Sequence, residues 1–375
     1  METINRLEVF LDGKHVGTMA PYHRYTTAFE YSAEWIQEGF SISPLSLPLE
    51  PGVKIAKAEP FDGLFGIFAD SLPDGWGRLL VDRMLRKEGE RPGEIGSLER
   101  LSIVGLSGMG ALEYRPVYKQ KETDIVSDLD RLAGECRKIL SAEESEDLDI
   151  LFRMGGSSGG ARPKVLLKTD GEEWIVKFPS SNDPKDIGLM EYEYNLCAGE
   201  CGIEIPEVRL FPSADCPGYF ASKRFDRTVV SGKERKLHMA SASALLEVSH
   251  RIPALDYTSL MALTWRITGS AEEMKKLYTL MCFNVFAHNR DDHSSNFSYL
   301  CDRGIWKLAP AYDLTYSNSF GGEHATTVAG EGKDPDMKDI LHVGKTAGLK
   351  ESQARSIAES VRETVSARLS KYLKA

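Results

Sequence analysis

Residues 287–300 read AHNRDDHSSNFSYL, with two aspartates, two histidines and two asparagines set between apolar flanks. Asp291 and Asn296 stand five positions apart. Protein kinases use that spacing for the aspartate that accepts a hydroxyl proton and the asparagine that holds a metal. His288-Asn289-Arg290-Asp291 also echoes the kinase H-R-D. Downstream, FSYL, a turn at 302–304 and the strand-like IWKLAP lead to AYDLT, whose Asp313 supplies the further carboxylate such a site needs. Magnesium takes hard oxygen ligands, so the Asn296 amide and the Asp313 carboxylate suffice beside phosphates. Asp291 is then left to orient a hydroxyl and take its proton. His293 and Ser295 are placed to support the loop or touch phosphate. Two other readings stand beside this one. His288, Asp291, Asp292 and His293 could ligate a hydrolytic metal, or the stretch could be a polar loop whose Asp and Asn cap its own turns.

The second informative stretch is RMGGSSGGARPKVLLKTDGEEWIVKFPSS, residues 153–181. Four glycines and two serines in six positions let backbone amides approach an anion closely. Gly155 and Gly160 have Walker A separation, but Ala161-Arg162 follow and Pro163 precedes a strand, so the P-loop NTPase reading fails. The pattern predicts a Gly-rich loop between strands, then a hairpin turning at Asp170-Gly171 that carries Lys177 toward phosphates, as in kinases. Taken alone, the loop reads equally as a flexible surface hairpin. The helical MEYEYNLCAGECG (190–202) offers Glu191 or Glu193 as a partner for Lys177. GYFASKRFDR (218–227) runs from a strand into a polar joint where a kinase has its hinge. Loop, lysine, joint, catalytic loop and last aspartate occur in kinase order, whereas the hydrolase reading leaves the loop and Lys177 without a role.

The elements that must position these residues follow from periodicity. LEVFLDGKHVGTM (7–19) alternates around Asp12-Gly13 as a hairpin. Residues 68–85 begin as a turn and become an amphipathic helix with Leu79, Leu80 and Met84 inward. Glycines and β-branched residues suggest strands over 101–116. Helical spacing returns from Leu129 to Leu140. It dominates after 237 and ends with Ile357, Ala358, Val361, Val365 and Leu369 on one face. This predicts an α+β protein: a small N-terminal α+β domain (1–118), a helical connection (119–150, entered through the polar KQKETD), a β-rich small lobe (151–225) and a helical catalytic lobe (226–375). The two lobes would form a protein-kinase-like body.

At 375 residues, 42% hydrophobic and 27% charged, the chain has the composition of a soluble globular protein with two or three domains. Its start shows no basic segment followed by an apolar run, and no apolar stretch approaches a membrane span, so neither signal peptide nor membrane association is expected. A net charge of −10 argues against non-specific nucleic-acid binding by the chain itself. The six cysteines keep no disulfide rhythm and read as reduced core residues of a cytoplasmic protein.

These motifs resemble the HipA family, the serine/threonine kinase toxins of bacterial type II toxin–antitoxin pairs, over nearly the whole chain. SLPDGWGRLLVDR (71–83) is similar to its N-terminal signature and SSGGARPK (157–164) to its phosphate loop. FNVFAHNRDDHSSNFSYL (283–300) and LAPAYDLTYS (308–317) are similar to its catalytic and metal loops. The resemblance implies a catalytic Asp291, with Asn296 and Asp313 holding magnesium. It places Ser157, Ser158, Gly159, Gly160, Ala161, Arg162, Lys164 and Lys177 around the ATP phosphates, with His293 nearby. Ala221–Phe225, including Lys223 and Phe225, would border adenine, although relatives often carry an acidic residue where this chain has Lys223. Ser157 matches the serine that family members autophosphorylate, and Ser158 adjoins it. The resemblance also implies a protein substrate such as an aminoacyl-tRNA synthetase. It implies a small helix-turn-helix antitoxin through which the acidic protein would meet DNA. A nucleotide-binding pseudokinase acting as a corepressor is the alternative.

Overall fold

Leu7, Val9 and Leu11 are buried in alternation, and the chain then reverses at Asp12-Gly13, both residues having positive φ (50° and 75°). That turn joins β1 (Leu7–Leu11) to β2 (Lys14–Tyr22). With β3 (Thr26–Tyr31), β4 (Lys54–Ile55) and β5 (Leu112–Arg115) they form a sheet ordered β4-β3-β2-β1-β5. Helices α1 (Ala33–Glu38), α2 (Gly66–Ala69), α3 (Gly75–Lys87) and α4 (Ser97–Val104) intervene. The strand expected from residue 101 is therefore the end of a helix. Leu98, Leu101 and Ser102 are buried at helical spacing, and that packing overrides the β preference of Ile103-Val104. In this computed structural model the described residues are 3–23, 26–118, 128–157, 159–230, 232–252 and 255–373. KQKETD and Ser158 lie outside them.

Next come α5 (Leu129–Leu140) and α6 (Leu148–Gly155), then β6 (Lys164–Thr169) and β7 (Glu172–Lys177). The β6–β7 hairpin turns at Asp170-Gly171, again with positive φ (54° and 79°). After α7 (Ile187–Glu200), β8 (Val208–Phe211) and β9 (Tyr219–Lys223) complete a sheet ordered β6-β7-β9-β8. The Gly-rich loop thus follows a helix rather than a strand. Leu148, Leu151 and Phe152 bury one face of α6, a pattern obscured in the sequence by the acidic run before it.

One apolar core joins Trp76, Leu80 and Met84 of α3, Leu132, Cys136 and Ile139 of α5, Leu151 and Phe152 of α6, and Val165, Trp174, Val176 and Tyr219 of the sheet. Each such buried side chain contributes about 1.5–3 kcal/mol. The compact unit accordingly runs through the joints read at 118, 150 and 225, comprising Met1–Leu189 and Arg209–Met239. β10 (Arg227–Val230) and β11 (Lys233–Lys236) form its last hairpin. At the entry to that hairpin Asp226, fully buried, lies 2.7 Å from Arg224 Nη2 and 2.9 Å from Arg227 Nη1, and accepts the Gly110 amide at 2.7 Å. Burial works against the Asp226 charge, but the two guanidiniums outweigh it and hold the carboxyl below its usual range.

The second unit comprises Met190–Val208 and Ala240–Ala375. Chain order from the end of the first unit is β12 (His238–Ser241), whose His238 and Met239 still belong to that unit, then α8 (Ala242–Leu246), β13 (Leu255–Asp256), α9 (Tyr257–Thr268), α10 (Ala271–Phe286), β14 (Ser298–Asp302), β15 (Ile305–Leu308), β16 (Thr326–Thr327), α11 (Met337–Thr346) and α12 (Glu351–Leu373). Ser270 caps α10 by accepting the Glu273 amide at 3.3 Å. Ala354, Ala358, Val361, Val365 and Leu369 form the buried face of α12, while Ile357 is only half-buried. A Cβ on Gly344 would come within 2.7 Å of the Ala354 Cβ, so α11 and α12 approach as closely as glycine allows. Among the described residues no helix is long and apolar enough to cross a membrane. The cysteines are free thiols.

The first unit also contains a buried histidine. His238 Nε2 donates to the Ile42 carbonyl at 2.8 Å, and burial pushes the imidazole down from 6.5 to about 4. As pH falls, the unfolded chain takes up this proton first. The stabilisation is therefore whole above about pH 6.5 and is lost toward pH 4, amounting to about 3 kcal/mol. Thermal midpoints across this window should fall steeply for the native chain and much less for His238→Gln. Equal slopes would exclude His238 as the source.

Candidate active site

α10 ends where the Ala287 amide bonds the Phe283 carbonyl at 2.8 Å, and His288 turns the chain in the left-handed region (φ 51°). Beyond it the loop is held by buried polar groups. Asn289 Nδ2 donates to Asn284 Oδ1 (2.9 Å), Asn284 Nδ2 to the Tyr257 hydroxyl (2.9 Å), and that hydroxyl to Asp292 Oδ2 (2.8 Å). His324 Nδ1 lies 3.0 Å from the same carboxylate oxygen, the Thr326 amide donates to Oδ1 at 3.2 Å, and the Thr326 hydroxyl donates to the Asp292 carbonyl at 2.5 Å. Burial, then the Asp292 charge, raises the Tyr257 hydroxyl well above its ordinary value and keeps it a donor.

Asp292 is 1% exposed and its neighbour Asp291 is exposed. The backbone that carries Asp292 into this network leaves the adjacent Asp291 at the surface. Asn296 closes a short 3₁₀ turn (Ser294–Asn296), and its Nδ2 donates to the Asp291 carbonyl at 2.7 Å, which sets the orientation of its amide. The Tyr312 hydroxyl donates to the Ser295 carbonyl (2.5 Å) and lies 2.7 Å from Ser298 Oγ, while the Ser317 amide donates to the His288 carbonyl (3.0 Å). The segment carrying Asp313 is thereby stitched to the 287–300 loop at both ends. Asp313 itself has φ 54°, a conformation uncommon outside glycine. Burial first, then Arg290, lowers the His288 imidazole pKa. His293 Nδ1 is buried without a hydrogen-bond partner among the described residues, and its ring centroid lies 5.5 Å from that of His250.

In the first unit, Ser157 Oγ donates to the Ser107 carbonyl (3.0 Å). Gly160 (φ 84°) donates its amide to the Asp74 carboxylate, and Lys164 Nζ donates to the Gly159 carbonyl at 2.5 Å. Arg162 Nε lies 3.2 Å from Asp183 Oδ2. Lys177 is half-buried on β7, its Nζ 5.6 Å from the Phe220 ring centre. On β9 and just beyond it, Ala221 is buried, Lys223 pairs with Glu172, and Phe225 is half-buried. Of the two glutamates considered for Lys177, Glu193 binds Lys371 Nζ (2.6 Å) and the Tyr372 hydroxyl (2.6 Å), and Glu191 is buried.

Sequence spacing placed Asp291, Asn296 and Asp313 on adjoining segments. The hydrolase set is divided instead, because Asp292 faces protein donors while Asp291 faces solvent. The parts that spacing could not reveal are Tyr257, His324 and Thr326, which lie more than thirty residues from Asp292.

The family model for the HipA-like C-terminal domain matches residues 156–369, and that for the HipA N-terminal domain matches residues 7–115. The chain belongs to the HipA family. A curated relative, Y4mE of Sinorhizobium fredii, whose name proposes it as a kinase, is 27% identical over 391 residues, 94% of this chain and 84% of that one. A chain of the solved HipA–HipB–operator DNA complex from the Shewanella oneidensis MR-1 toxin–antitoxin system is similar at TM-score 0.72 and 18% identity, over 98% of this chain and 90% of that one. The Helicobacter pylori proinflammatory kinase CtkA gives TM-score 0.37 at 13% identity, over 57% of this chain and 89% of its own. The fold is the two-lobed, kinase-like α+β fold of HipA.

Removing the buried carboxylate should therefore loosen the 287–300 loop from beneath. Asp292→Ala leaves the Tyr257 hydroxyl and the Thr326 amide without their acceptor, at a cost of about 3 kcal/mol. Asp292→Asn, which keeps an acceptor, should cost less. Urea denaturation followed by tryptophan fluorescence measures both, and an unchanged midpoint for Asp292→Ala would contradict the anchoring role.

Proposed function

We propose that this chain is an ATP- and magnesium-dependent serine/threonine protein kinase acting as the toxin of a toxin–antitoxin pair. The observation that carries the reading is Asp291, held exposed by its buried neighbour and bonded through its carbonyl to Asn296, on a loop stitched to the Asp313 segment. Family membership and the name of Y4mE support it. In this reading Asp291 orients the acceptor hydroxyl and takes its proton. The Asn296 amide and Asp313 carboxylate are hard oxygen donors, a set that fits magnesium, and on the same loop the buried Nδ1 of His293 has no hydrogen-bond partner among the described residues. Magnesium, when bound, supplies charge neutralisation at the transferring phosphoryl group. The Gly-rich loop and Lys177 bind phosphates, and Ala221–Phe225 borders adenine, with Lys223 turned to Glu172 rather than to the base.

The HipB and operator DNA of the Shewanella complex favour a small DNA-binding antitoxin as partner, and so a cytoplasmic site of action. An aminoacyl-tRNA synthetase is the proposed substrate class, with arrest of translation as the consequence.

Asp291→Asn should cut phosphate transfer by orders of magnitude while ATP binding persists, because positioning and proton acceptance are lost. Asp313→Ala should weaken ATP binding only when magnesium is present. Calorimetry and a transfer assay check both, and normal transfer in either variant contradicts the assignment.

Autophosphorylation of Ser157 is part of the same proposal. Its hydroxyl would first leave the Ser107 carbonyl. The added charge of about −1.5 to −2 would then repel ATP phosphates from the loop. Intact mass after incubation with magnesium and ATP should show one phosphate, absent from both Ser157→Ala and Asp291→Asn. Phosphate persisting in Ser157→Ala would move the modification to another residue.

A further inference from the structure

Asp74 occupies the N-cap position of α3, where aspartate ordinarily accepts an amide of its own helix. It makes no such bond. Its carboxylate accepts the Gly160 amide of the Gly-rich loop, 86 residues away in sequence. The loop returns the bond, because the Gly160 carbonyl accepts the Trp76 amide at 2.9 Å, one of the donors that helix geometry leaves unsatisfied at its start. The Trp76 indole then donates to the Lys164 carbonyl at 3.0 Å, at the far end of the loop. Two residues of α3 thus hold both ends of residues 160–164.

The fit leaves no slack. Gly75 has φ 41°, and a Cβ there would lie 2.5 Å from the Gly160 carbonyl oxygen. A Cβ on Gly155 would lie 2.6 Å from the Lys164 carbonyl and 3.1 Å from the Trp76 indole nitrogen. Trp76 is itself 1% exposed in the shared core, so its grip is fixed by packing.

We infer that Asp74 and Trp76 are positioning residues for the phosphate loop: the N-terminal region sets the loop's shape by reciprocal capping. The inference rests on the nucleotide reading of this loop. The Gly160 amide is engaged by Asp74, so the remaining loop amides and Lys177 are the groups presented to phosphate. Preorganisation matters because a loop free to rearrange loses affinity to the cost of ordering it.

The test uses the full chain and two readouts. The first is hydrogen exchange of residues 159–164 without nucleotide. Asp74→Ala and Trp76→Phe should speed it, whereas Asp74→Asn, which keeps an acceptor, should stay near the native rate. The second is calorimetry with magnesium-ATP and with adenosine, which lacks phosphates. Asp74→Ala should weaken ATP about tenfold, the worth of one hydrogen bond, and leave adenosine within about twofold. Gly75→Ala, which pushes the loop from the other side, should do the same. Unchanged exchange in Asp74→Ala overturns the inference whether or not ATP binds. So does a parallel loss of ATP and adenosine, which would mark general damage, or tighter ATP binding, which would make the carboxylate a competitor of phosphate. Failure of the native chain to bind ATP, with loop exchange responding as described, would instead strike the nucleotide reading.

Discussion

A carboxylate cannot remain charged in a protein interior unless donors surround it, and Asp292 is the place where that requirement organises the second unit. Its donors come from α9, from residue 324 and from β16, so it fixes the 287–300 loop against three separate stretches of chain. Asn284 and Asn289 extend the network back to the end of α10. The consequence lies one residue earlier. With Asp292 held inward, Asp291 stays at the surface, which is where the proposed role, meeting a substrate hydroxyl, needs it. Two adjacent aspartates of the same chemical type thus have different tasks, set by which side of the backbone each occupies.

The first unit solves a related problem by different means. A Gly-rich loop has many accessible conformations, and ordering it costs free energy. Here α6, β6 and α3 share one apolar core, so the loop's ends are fixed by packing. The start of α3 then bonds to the loop's backbone through the Asp74 carboxylate, the Trp76 amide and the Trp76 indole. The N-terminal region is in this sense part of the scaffold of the Gly-rich loop rather than an appendage to it. The buried Arg224–Asp226–Arg227 cluster, bonded to the Gly108 and Gly110 carbonyls, ties the segment after β9 to the same region.

Much of this was legible where the determining signal is local. Asp12-Gly13 and Asp170-Gly171 gave their hairpins because a two-residue turn with positive φ favours those types. The five-residue interval from Asp291 to Asn296, followed by Asp313, could be read in the sequence because it is a local spacing, and the structure joins the two segments through Tyr312 and Ser317. The α6 helix was hidden behind acidic residues, and α4 by its terminal Ile-Val pair. The role of Asp292 was illegible because its partners are far along the chain, and nothing near it distinguishes a buried aspartate from an exposed one. Asp74 was illegible for the same reason: the amide it binds belongs to a loop 86 residues further on.

The central claim, transfer of phosphate to protein, is tested most directly by following the γ-phosphate itself. The purified chain, incubated with γ-labelled ATP, magnesium and a lysate of its own cells, should place label on serine or threonine of a discrete protein acceptor. Label released as inorganic phosphate without an acceptor would make the chain a hydrolase. ATP bound but left intact, with no labelled protein, would make it a nucleotide-binding module and contradict the account.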